Sequence, residues 1–251
     1  MRLSRRETIA GGVATFLAAG VLNAKGKPSA VQKSAWQMTQ GIPDRHVRPA
    51  TKWLLANYSD AIRSRIAGTP ISLALACAVA CQESAYTWFD NPHFTAGRSP
   101  AEMMRLLVLD NVSPRGAFPR DTRTFKKDRR FGDLSAALIA VCDESRRARG
   151  YRATGNLLYG YGLFQYDLQH IESDAAFWSD TLPGASRPGL WGDVGACTDR
   201  FVTELNEKIK HHPGDLKAAI AAYNGRGPNA RAYAQIVMKF RDFAAQEIGV
   251  A

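Results

Sequence analysis

The run from Ile71 to Glu83, ISLALACAVACQE, decides the fold class. Its apolar residues fall on every face of a helical period, strict alternation is absent, and the run is too long for an ordinary strand. It reads as a helix buried all round, which other helices must enclose. Their periodicity is present on both sides. Leu54, Tyr58, Ile62 and Ile66 recur every fourth position and predict an amphipathic helix near 48–66. Ser99, Pro100 and Glu102 supply an N-cap, a first-turn proline and a capping-box acid, so a helix starts there. Leu134, Ala137, Leu138 and Val141 define another, and Phe201, Leu205 and Ile209 a further one. Asp215 caps the short helix LKAAIAAY, which Asn224 and Gly225 end, and Tyr233, Ile236, Val237, Phe240 and Ala244 mark a last packed helix. With no strand-rich region, internal repeat or long low-complexity linker, the pattern predicts one mostly α domain.

Length and composition agree with one domain. At 251 residues, 45% hydrophobic, with 11 Phe and 5 Trp, the chain has the material for a substantial core and is far from a disordered composition. Residues 1–24, MRLSRRETIAGGVATFLAAGVLNA, read as an address rather than a fold. Arg2, Arg5 and Arg6 precede a glycine-interrupted apolar run, and Ala24 offers a small cleavage residue. Ser4-Arg5-Arg6 resembles a twin-arginine export signal, with Thr8 where such signals usually carry an aromatic. The competing reading is an anchoring N-terminal helix. The expected division is an export signal over 1–24, a linker over 25–47 and a domain over 48–251, with the protein in the periplasm or cell envelope. Loss of Arg2, Arg5, Arg6 and Glu7 lowers the formal charge of +10 by two, to +8, so the mature protein stays basic and is drawn toward anionic polymers.

Cys77, Cys81, Cys142 and Cys197 allow three pairings in an exported protein. Cys77 and Cys81, four apart on the buried helix, read as small hydrophobes, and a Cys142–Cys197 bridge is the remaining option. No cysteine or histidine spacing suggests a metal, and His211-His212 before Pro213 reads as a polar helix end. Around 112–132 the run SPRGAFPRDTRTFKKDRRFGD is basic and proline-broken, and reads as an irregular surface excursion. Lys126, Lys127, Arg129 and Arg130, with Phe118 and Phe125 interleaved, suit an anionic polymer; a merely solvated loop is the plainer alternative.

Three short blocks carry the chemistry: CQESAY from Cys81, GYGLFQYD from Gly160, and AAYNGRG from Ala221. Together, in this order, they resemble the lysozyme-like lytic transglycosylases and goose-type lysozymes. In those families the first block carries a catalytic Glu, the second a cleft wall of the form Gly-Leu-Met-Gln, and the third a Tyr-Asn pair near the acid. Here Phe164 replaces the Met. The resemblance implies a lysozyme-like helical domain, with an insertion at about 87–158 between the first two blocks. It also implies that Glu83 is the acid and that Gly162, Gln165, Asp167, Tyr223 and Asn224 meet the substrate; Tyr86, just past the acid, is added to them on its own chemistry.

The residues themselves support that assignment. Cleaving a glycosidic bond needs a carboxyl that still holds its proton near neutral pH, and apolar burial favours the protonated form. Glu83, ending an all-apolar helix, is placed for it. Tyr86, Trp88 and Phe89 offer flat faces for sugar rings, or else are core. Gly160 and Gly162 permit a close approach by a glycan, and the Gln165 amide can donate and accept. Asp167 resembles a water-positioning acid, although Asn156 stands where its companion carboxylate is expected. Glu144, in CDESRR, is the rival acid: it lies 18 positions before Gly162, against 79 for Glu83, nearer the family interval. Against it, Arg146, Arg147 and Arg149 would hold its carboxylate ionised, with an i,i+3 pairing to Arg147. Glu83 is preferred. The expected activity is cleavage of the β-1,4 bond between N-acetylmuramic acid and N-acetylglucosamine, as lytic transglycosylase or muramidase, without cofactor or metal. The expected partner is peptidoglycan, with other anionic wall polymer on the basic run and no nucleic acid. The alternative is a catalytically silent glycan-binding wall protein.

Overall fold

In the computed structural model, residues 41–109, 116–182 and 189–249 are described, so the segment expected as an export signal and most of the expected linker lie outside the described residues. Of the described residues about 69% are helical and 4% strand, a mostly α fold as expected. Eleven α-helices follow in chain order among the described residues: α1 (Asp44–Ile66), α2 (Leu73–Glu83), α3 (Ala85–Trp88), α4 (Pro92–Thr95), α5 (Pro100–Arg105), α6 (Thr122–Lys127), α7 (Gly132–Ala148), α8 (Ala176–Ser179), α9 (Val194–His211), α10 (Leu216–Asn224) and α11 (Gly227–Ile248). Two-residue strands β1 (Val108–Leu109), β2 (Gly160–Tyr161) and β3 (Tyr166–Asp167) form one antiparallel sheet in that order.

The apolar run Ile71 to Glu83 becomes the centre of the molecule. Ser72 caps α2, its hydroxyl accepting from Leu75 N at 3.1 Å, and all eleven residues to Glu83 are buried. Fully burying side chains such as Leu75 and Val79 contributes about 1.5–3 kcal/mol each. Between them, Ala74, Ala76, Cys77, Ala78, Ala80 and Cys81 are small, which lets α1 and α11 pack closely against the helix. Outside this layer α9 lies against α1 and α10, and α10 against α11.

One boundary differs from expectation. The first helix begins at Asp44 rather than near 48, inside the segment expected as linker, and continues through Pro49. Ile42 and Val47 are buried, and this apolar gain offsets the backbone hydrogen bond that a proline cannot make. The capping box at Ser99 is present: its hydroxyl accepts from Glu102 N at 3.3 Å, while Glu102 Oε2 accepts from Ser99 N at 2.8 Å. Asp215 caps α10 through Ala218 N at 2.8 Å, and the helix stops at Asn224 before Gly225.

From Thr122 onward the basic run is not irregular: it forms α6 and a 3-10 turn over Arg129–Phe131, leading directly into α7, while residues 116–121 lie outside regular elements. The phenylalanines explain why. Phe118, Phe125 and Phe131 pack ring against ring with centroids 5.4–6.0 Å apart, so they face one another rather than a polymer. Within the segment expected as an insertion, Met103, Met104, Leu107, Phe125, Leu138 and Cys142 join the core, and β1 adds a strand to β2.

Candidate active site

GYGLFQYD forms a β-hairpin in which Gly160 pairs with Asp167 and Tyr161 with Tyr166. The turn between the strands, Gly162 to Gln165, is where the three blocks meet. Ser84, directly after α2, donates from Oγ to the Leu163 carbonyl at 2.7 Å and accepts from Trp88 Nε1 at 3.0 Å. Tyr223, on α10, donates from its hydroxyl to the next carbonyl, Phe164, at 3.4 Å. Phe164 stacks on Phe201 of α9 at 4.3 Å, and Phe201 meets Tyr223 edge to face. Blocks far apart in sequence are thus tied to two consecutive carbonyls.

Glu83 ends α2 with 6% of its surface exposed. The Tyr233 hydroxyl, from α11, donates to its Oε1 at 2.6 Å. Periodicity marks Tyr233 only as a core position of the last helix. The available signal is its polar tip on an otherwise apolar face, since a buried tyrosine hydroxyl usually finds a partner.

The glycines and Gln165 serve the hairpin's own packing. Gly162 has φ 73°, and a Cβ there would overlap Cys197 Sγ and lie 2.9 Å from the Trp191 carbonyl. Its N–H donates to Leu107 O at 2.8 Å and its carbonyl accepts from Gln165 N and Nε2. A Cβ on Gly160 would overlap Gln165 Oε1. The close approach these glycines allow in the structure is to the protein itself: Gln165 beside Gly160, and Cys197 and Trp191 beside Gly162. Gln165 sits at φ 53°, the one non-glycine with positive φ among the described residues. Its amide nitrogen is used on Gly162, while Oε1 is buried without a partner. Holding a residue that bears a side chain in the left-handed region costs about 1 kcal/mol or more, so the surrounding contacts must enforce it.

Asp167 is buried, and its Oδ1 accepts from Gln169 N at 2.9 Å, capping the following 3-10 turn. Asn156 is exposed, and its carbonyl accepts from Arg146. Tyr86 and Asn224 are each buried, with 8% of their surface exposed. Trp88 is core: it is 1% exposed and stacks on Trp53 at 4.9 Å. Phe89, half-buried, meets it edge to face.

Glu144 is half-buried on α7, the helix packed behind β1, where its neighbour Ser145 donates to Val108 O at 2.6 Å. Two of the arginines that sequence order sets around Glu144 have other partners. Arg146 pairs with Asp143 at 3.0 Å and donates to the carbonyls of Asn156 and Leu157. Arg149 donates to Ser145 O and lies over the Tyr151 ring. An i,i+3 ion pair on this helix joins Asp143 to Arg146. Asp143 also accepts from Thr154 N and Gly155 N; burial works to raise its pKa, but these donors and Arg146 outweigh burial and leave it below the usual carboxylate value. The knot holds the chain that enters β2.

All four cysteines are buried thiols, so Cys142 and Cys197 do not bridge. Cys197 Sγ donates to Trp191 O, and Cys142 Sγ accepts from Leu158 N. Among the described residues no cluster of His, Cys, Asp and Glu has a metal-binding arrangement, and no helix is long and apolar enough to cross a membrane. Compared with family models, curated proteins and solved structures, the chain matches none.

Proposed function

We propose that the protein is an exported, lysozyme-like glycosidase that cleaves the β-1,4 bond between N-acetylmuramic acid and N-acetylglucosamine in peptidoglycan. The observation that carries this reading is the Glu83 carboxyl, buried at the end of α2 and held by the Tyr233 hydroxyl. The convergence of the CQES, GLFQ and AAYN blocks on Leu163 and Phe164 supports it, because these are the blocks on which the family resemblance rests.

In this mechanism Glu83 gives its proton to the leaving glycosidic oxygen. It then takes the proton of the muramic C6 hydroxyl, which attacks C1 and closes a 1,6-anhydro ring. One carboxyl serves as acid and then as base, and the substrate supplies the nucleophile in place of a second carboxylate. The Tyr233 hydrogen bond fixes the carboxyl's orientation and is compatible with both protonation states, since Oε1 accepts in each. Asp167 uses one oxygen to cap a turn, which suits a structural part better than water activation, so a lytic transglycosylase is favoured over a muramidase.

Glu83→Gln should abolish release of soluble muropeptides from sacculi, by about 10³-fold or more for loss of the sole acid and base. The fold should survive, because the amide oxygen still accepts from Tyr233. Glu144→Gln should retain activity. Mass spectrometry of the digest reads both activity and product; retained activity in Glu83→Gln with loss in Glu144→Gln would transfer the role to Glu144. An inert wild type that still binds sacculi would leave a glycan-binding protein.

A further inference from the structure

The part of the molecule that this function leaves unused is the platform of α6 and the following 3-10 turn. Between residues 120 and 133 the chain carries six cations against three carboxylates. Two of those carboxylates are taken up by local hydrogen bonds. Asp121 caps α6 through Thr124 N at 2.7 Å, and Asp128 caps the 3-10 turn through Arg130 N at 2.9 Å and binds the Arg130 guanidinium. Asp133 stands in the first turn of α7. Arg130 also reaches Glu172 at 2.8 Å, and Arg120 lies beside Asp121. Arg123, Lys126, Lys127 and Arg129 are exposed, and among the described residues none of the four pairs with a carboxylate.

Their placement is ordered. Positions 123, 126 and 127 share one face of α6, and Phe125 points away from it into the Phe118–Phe131 cluster. The platform is tied to both ends of the hairpin that bears the candidate site: Leu157 N donates to Thr122 Oγ1 at 2.9 Å, three residues before β2, and Arg130 binds Glu172, five residues after β3. Both ends of the hairpin are thus joined to the segment that carries these cations.

We propose that Arg123, Lys126, Lys127 and Arg129 form a docking surface for the acidic peptides carried by the glycan strand, gathering the polymer's carboxylates while the Glu83 site holds its sugars. The inference rests on the peptidoglycan reading for its choice of polymer. Carboxylate peptides fit better than nucleic acid, because the platform's phenyl rings are packed together rather than offered for base stacking, and a six-residue helix is short for a groove. They fit better than a membrane surface, because the large apolar side chain of α6 is buried.

The test uses the full chain carrying Glu83→Gln, so that binding to purified sacculi is measured without cleavage. Binding should weaken as salt rises from about 20 mM to about 500 mM, over which the screening length falls from about 20 Å to about 4 Å. The added change Arg123→Glu, Lys126→Glu, Lys127→Glu, Arg129→Glu should weaken binding at low salt by about tenfold or more and flatten the salt response. A control reversing Lys52, Arg63, Lys210 and Lys217, exposed cations elsewhere, should change binding by less than about twofold. A four-glutamine variant of the platform, with its melting temperature, separates charge from folding. Unchanged binding in both folded platform variants, equal loss in the control, or preference for DNA over sacculi overturns the proposal. Muropeptide release by the wild type is scored separately. Release with platform-independent binding sinks the docking surface and spares the glycosidase, whereas platform-dependent binding without release does the reverse.

Discussion

Glu83 and Tyr233 lie 150 positions apart, and their hydrogen bond is the contact on which the candidate chemistry turns. Replacing Tyr233 with Phe keeps the ring in the core of α11 and removes only the hydroxyl. If the hydrogen bond orients the carboxyl through the reaction, turnover should fall about 10–100-fold, the equivalent of about 1.5–3 kcal/mol for a hydrogen bond to a charged partner. Muropeptide release by purified Tyr233→Phe, measured beside its melting temperature, checks this; undiminished turnover would mean that the bond is structural. Glu83 is legible from residue type and position, as an acid closing an apolar helix. Tyr233 is not, because periodicity reports which face of a helix is buried and says nothing of what its hydroxyl meets.

At the scale of elements, the hairpin reads in sequence as a glycine-rich turn and folds as two strands closed by a tight loop. Its glycines and those of the approaching chain differ in what they tolerate. Gly162→Ala must both hold φ near 73° and displace Cys197 or Trp191, at a cost of about 2–4 kcal/mol. Gly155 has φ 66° but nothing within 4 Å of the place a methyl would take, so Gly155→Ala should cost only about 1–2 kcal/mol. Urea unfolding of the two variants checks the ordering, and equal losses would contradict it. The basic run shows the opposite limit of sequence reasoning. Its prolines and charges read as irregular, yet three phenylalanines, at 118, 125 and 131, bury one another and order the chain between them.

Across the whole molecule the core holds without covalent help. Burial pushes the Cys77 thiol up to about 12, against a smaller opposing effect of Arg63, and Cys142 up to about 11, while Cys81 is raised well above the ordinary thiol value by its depth. All four thiols should therefore resist alkylation near pH 8 in the native protein and react together in denaturant, and the melting temperature should be the same with and without reductant. A fall in melting temperature on reduction would reveal a disulfide. By itself the sequence determined the mostly α class, the buried central helix, the caps of α5 and α10 and the acid that ends the central helix, because period, capping chemistry and composition act over a few residues. Only the tertiary structure decided that Tyr233 reaches Glu83, that Ser84 and Tyr223 take adjacent carbonyls of one turn, and that Cys197 fills the space beside Gly162. Those are contacts between residues distant in the chain. Their geometry is set by how helices pack, and packing depends on the shape of every neighbour at once.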